Sequence, residues 1–146
     1  MTEFKRKVTV CSLAGDQRAE LDTIFDTGAS HTVVKPGVLK EKMPWASVQK
    51  HRVPGTAKVP GRNGTVQVKE SASCTLKFGE CEWPYPEWLR VVDHGLDSEL
   101  VIGADFLEKM GFDFTLRENP EDCLLRITNC EPQVLVTGIE VNWRRA

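Results

Sequence analysis

The chain lacks most of the marks that would send it to a membrane, a nucleic acid or a disulfide-stapled scaffold. No apolar run approaches a bilayer span, and the opening Met1-Thr-Glu-Phe-Lys-Arg-Lys-Val-Thr-Val10 has no signal-like apolar stretch. Net charge is only −2, and the basic clusters Lys5-Arg6-Lys7 and Arg144-Arg145 are too short to track a run of phosphates. Cysteine is sparse and odd in number: Cys11, Cys74, Cys81, Cys123 and Cys130, with no CxxC pair. That count predicts free thiols in a reducing, cytoplasmic compartment rather than a disulfide framework. His31, His51 and His94 stand at no metal-like spacing from one another or from cysteine, so no zinc site or other cofactor is expected.

What remains is an ordinary globular composition. The 146 residues are 40% hydrophobic and 27% charged, enough for one packed domain. The dominant period is two. Val66, Val68, Ala72, Cys74, Leu76 and Phe78 share one parity, against Lys69, Thr75 and Lys77 on the other, the pattern of a long half-buried strand. Further strands are expected at Val8–Leu13, Ala19–Phe25, Ser47–Val53, Trp88–Val92, Leu100–Ile102, Phe112–Leu116, Cys123–Ile127 and Val134–Val141. One segment reads as a helix: in Ala104 to Met110, Phe106, Leu107 and Met110 share a face and Gly111 supplies the stop. The fold class is therefore mostly β, a sandwich or barrel with a single short helix. Val53 to Gly64, rich in glycine and proline, is expected to project as a loop or hairpin tip. Cys81 to Trp88, dense in aromatics and prolines, reads as a loop pinned by buried tryptophans, or as the lining of a peptide groove.

Chemistry concentrates in Ile24-Phe-Asp-Thr-Gly-Ala-Ser30. An apolar strand runs into Asp26, near the interior, where burial disfavours a carboxylate charge. Thr27 adds a hydroxyl that can donate and accept, and Gly28 lets backbone or ligand approach closely. Asp-Thr-Gly alone also suits a plain tight turn. A second element, Leu100-Val-Ile-Gly-Ala-Asp-Phe-Leu107, sets an apolar strand and a glycine before the helix. Asp105 there reads as helix N-terminal capping.

Taken together, these motifs resemble the retropepsin family of aspartic proteases. Phe25-Asp-Thr-Gly-Ala-Ser30 is similar to the family's catalytic turn, and Val101-Ile-Gly-Ala-Asp-Phe-Leu107 to its downstream strand and helix. The wording from Leu100 to Phe114 is particularly similar to proteases of Ty3/gypsy retrotransposons and retroviruses. Gly61-Arg62-Asn63-Gly64, followed by the alternating Thr65–Phe78 run, lies where the family carries a mobile flap. The similarity covers about Val8 to Ile127, which implies a closed, barrel-like protease domain over residues 1–128. Residues 129–146 are then a C-terminal extension, an added strand or hairpin packed on the domain or its dimer interface.

The resemblance implies an activity and a site. Two carboxylates about 3 Å apart cannot both ionise, so they share one proton and can activate water while protonating the leaving amine. The chain holds one Asp-Thr-Gly and no second copy. Symmetry must supply the other aspartate, so a homodimer acting on an extended peptide or polyprotein is expected. Asp26, Thr27 and Gly28 would form the catalytic turn. Ala29, Ser30, Gly61, Arg62, Asn63 and Gly64 would contact substrate, with Val33, Val34, Val101 and Ile102 as pocket wall or core. Retroviral members carry an acid at the position of Ser30 and an arginine at that of Ala104, and both are missing here together, so no buried charge is stranded. Competing readings are a catalytically silent peptide-binding scaffold of the same fold and an unrelated β-barrel binding module.

Overall fold

The period-two patterning becomes ten strands in one sheet. A computed structural model describes residues 2–140; Val141, the end of the expected last strand, and Arg144-Arg145 lie outside the described residues. The strands are β1 (Thr2–Cys11), β2 (Arg18–Phe25), β3 (Val33–Val34), β4 (Ser47–Lys58), β5 (Thr65–Phe78), β6 (Cys81–Val91), β7 (Leu100–Ile102), β8 (Phe112–Thr115), β9 (Leu124–Ile127) and β10 (Val134–Glu140). Their order is β4-β5-β6-β3-β7-β2-β1-β10-β9-β8, and an added β5–β1 pairing closes the six strands from β5 to β1 into a ring. Val8, Val10, Leu21, Leu76, Leu89 and Leu100 fill the interior and are essentially inaccessible to solvent. Their burial is the main stabilising term, about 1.5–3 kcal/mol for each large side chain.

Two pairings place the chemistry. β2 and β7 run parallel, with Phe25 opposite Ile102, so both strands end at the same level and Asp26 and Gly103 emerge side by side. β3 then pairs antiparallel with β7 and parallel with β6. β10 hydrogen-bonds to β1 on one side and β9 on the other, within its own chain.

Several expectations need correction. Among the described residues there are two α-helices, α1 (Pro36–Lys42) and α2 (Ala104–Met110), not one. Pro36-Gly37 reads as a turn, but proline is well suited to the first helical position, where its missing N–H costs nothing. The Gly/Pro-rich segment is a strand as far as Lys58. β4 is an edge strand, and its register shifts between Lys50 and Gly55, which accommodates Pro54 without breaking an interior ladder. Cys81 to Trp88 is also strand rather than loop. Trp83 is buried, whereas Tyr85 and Trp88 are exposed.

The cysteines do not all remain free. Cys81 and Cys130 are joined as a disulfide, their Cα atoms 5.8 Å apart across a sequence separation of 49 residues. The start of β6 and the segment after β9 are brought together by sheet topology, which spacing along the chain does not report. Cys11, Cys74 and Cys123 are free thiols. Burial pushes the Cys74 thiol up to about 12, so it is an inert core residue.

Candidate functional site

The site is built where β2 and β7 run out together. The Asp26 amide donates to the Ile102 carbonyl at 2.9 Å, the last rung between the two strand ends. The chain then turns: Gly28 N–H donates to Asp26 Oδ1 at 2.8 Å and Ala29 N–H to the Asp26 carbonyl at 3.2 Å. Asp26 is half-buried in the single chain, less enclosed than its apolar approach suggests, and Thr27 and Gly28 are exposed. Among the described residues the Asp26 carboxylate accepts only the Gly28 hydrogen bond, which leaves its second oxygen open to an incoming group.

Behind the turn the backbone is clamped. Ala104 N–H donates to the Ala29 carbonyl at 2.8 Å. A Cβ on Gly103 would lie 2.6 Å from the His31 carbonyl oxygen and 2.8 Å from that of Ala29, so only glycine permits this approach. Thr32, fully buried, accepts from Gly103 N–H at 3.0 Å and donates to Asp105 Oδ1 at 2.8 Å. Gly103 occupies the N-cap position, and Asp105, in the first turn of α2, accepts from Phe106 N–H at 2.8 Å, so it serves the helix N-terminus as expected. The same carboxylate also ties α2 to the strand side of the turn. Sequence reasoning passed over Thr32; a threonine six residues after Asp26 carries no signal until the fold sets it against Gly103.

The remaining expected site residues lie on the β4–β5 hairpin and its neighbours. Gly61, Arg62, Asn63 and Gly64 form its exposed turn. The turn does not project freely. Pro60 accepts from Gly95 N–H at 3.0 Å, and Arg62 reaches Asp93 at 3.4 Å. Nearer Asp26, Ser30 N–H donates to the Lys58 carbonyl at 2.9 Å, and Lys58 N–H donates to Ser30 Oγ at 2.8 Å. Ser30 Oγ also lies 2.8 Å from His31 Nδ1. Val33 and Val101 belong to a small apolar cluster with Ala29, whereas Val34 and Ile102 belong to the main core. Open clefts of about 340 and 410 Å³ lie on the outer faces of β1 and β2, around Lys7, and neither includes Asp26.

Under the same hairpin sits His94, only 1% exposed. Its Nδ1 accepts from Leu96 N–H at 3.2 Å, and its Nε2 has no partner among the described residues. Burial, aided by the Lys35 and Arg62 charges and opposed by Asp93, lowers its pKa to about 4. The unfolded chain therefore takes up this proton near pH 6.5, while the folded chain resists it until about pH 4. Stability is fully present above pH 6.5 and falls as pH drops toward 4, by at most about 3 kcal/mol from this group. Urea unfolding at pH 7 and pH 4 checks it: His94→Asn should lose less stability between the two pH values than wild type.

Comparison with solved structures adds one finding. The chain superimposes on the retroviral protease-like domain of Ddi1 from Leishmania major with a TM-score of 0.57 and 16% identity, over 97% of this chain and 98% of that one. The fold is retropepsin-like. No protein-family model matches the chain, and no curated protein does. At this identity the likeness speaks for the fold alone. Among the described residues no helix is long and apolar enough to cross a membrane.

Proposed function

We propose that the chain is an aspartic endopeptidase that works as a homodimer on extended peptide segments. The observation that carries this reading is the single Asp26-Thr27-Gly28 turn presented at the surface, at the paired ends of two parallel strands, with one carboxylate oxygen unoccupied. One carboxylate cannot act as acid and base in the same step. A second, brought by a two-fold axis, can share the proton and divide those duties.

In that pairing Asp26 and its symmetry mate hold the attacking water. Thr27, exposed beside it, buttresses the pair across the interface, and Gly28 lets the substrate backbone lie close. Ala29 and Ser30 bind the peptide, and the turn at Gly61 to Gly64 closes over it. The test combines solution mass at micromolar concentration with digestion of a mixed peptide library. A dimer that cleaves supports the reading. A stable dimer without cleavage at any pH from 3 to 8 marks a peptide-binding scaffold instead, and a strict monomer removes the two-carboxylate mechanism.

A further inference from the structure

We propose that the β4–β5 hairpin is latched onto its own chain in the slot an extended peptide must occupy, so that the protein is self-occluded. This rests on the proposed reading of Asp26 for its consequence in catalysis, but not for its geometry.

The end of β4 is seated as a peptide would be. Ala57 and Val59, two residues apart on an extended strand, point the same way and are 2% and 3% exposed. They pack with Ala29, Val33, Val92 and Val101 in an apolar cluster separate from the main core, beside the Asp26 turn. Between them, Lys58 exchanges two hydrogen bonds with Ser30, one through the backbone carbonyl and one through the backbone N–H. Main-chain bonds from an extended segment, with alternate side chains entering a pocket, are what strand-like peptide recognition consists of. A second peptide cannot use the Ser30 N–H or the Ala29–Val33–Val101 floor while Lys58 and Val59 hold them.

The latch lies further out. Gly61 adopts φ +76, and its Cα is so close to Gly95 that a Cβ on either glycine would lie within 2.5 Å of the other's backbone. Gly95 N–H donates to Pro60, and the Arg62–Asp93 pair closes the outside.

Gly95→Ala drives a methyl into the Gly61 carbonyl without touching Asp26, and Asp93→Asn weakens the latch more gently. Both are made in the full chain. Hydrogen exchange at the Ser30 and Lys58 amides reads the latch. Binding of a blocked peptide copying residues 55–61, followed by NMR titration in an Asp26→Asn background, reads the slot. Gly95→Ala is expected to speed exchange and tighten the peptide at least tenfold, with Asp93→Asn moving both in the same direction by less. Unchanged exchange in both variants overturns the latch, and Asp93→Asn alone decides if Gly95→Ala does not fold. Faster exchange with unchanged peptide binding overturns the occlusion. If both shift as expected while no form with native Asp26 cleaves anything, the occlusion stands and the protease reading falls.

Discussion

Asp26→Asn is expected to cut peptide hydrolysis by at least about a thousandfold while leaving the fold intact. The two side chains have the same shape, and the asparagine oxygen can still accept the Gly28 N–H that shapes the turn. What the amide cannot do is take a proton from water. The pair then has neither a general base nor a proton to pass to the leaving amine. Thermal unfolding should change little, since Asp26 makes no ion pair among the described residues. Mixing supplies a sharper measurement. If each active site draws one carboxylate from each chain, equal amounts of wild type and variant, unfolded and refolded together, leave roughly a quarter of the pairs intact, and activity falls to that level. A site complete within one chain would retain half.

The parts legible in the sequence were those encoded locally. Alternation over Val66 to Phe78 announces β5, and the face shared by Phe106, Leu107 and Met110 announces α2, because burial on one side of a strand or helix needs nothing beyond the segment itself. The Asp-Thr-Gly turn could be read for the same reason. What escaped depends on distant partners. Cys81 meets Cys130 only because the sheet folds β6 against the segment after β9. Proline and glycine dominate the reading of Val53 to Gly64, yet β4 forms there because it is an edge strand, bonded on one side to β5 and free to bulge at Pro54. Asp105 reads as serving the helix N-terminus and does accept from Phe106 N–H, but its other partner, Thr32, lies 73 residues away and is unremarkable until the fold buries its hydroxyl.

Gly103→Ala is expected to cost roughly 3–5 kcal/mol. Its backbone is extended, with φ −97 and ψ −174, so alanine suffers no conformational strain of its own. The cost is contact. The new Cβ would meet three backbone atoms at 2.6 to 2.8 Å, the carbonyl carbon and oxygen of His31 and the oxygen of Ala29. None can retreat cheaply, because the Ala29 carbonyl already accepts from Ala104 and the Gly103 amide is held by Thr32. Moving them apart breaks those bonds and shifts the Asp26 turn away from the end of β7. Stability and hydrolysis should therefore fall together, with the melting temperature lower by roughly 10 °C. Gly37→Ala is the control. That glycine lies in α1 with open space around its missing Cβ, and alanine there should stabilise by about 0.5–1 kcal/mol. Equal melting temperatures for Gly103→Ala and wild type would mean that the two strand ends are not held as described, and the geometry that presents Asp26 would lose its support.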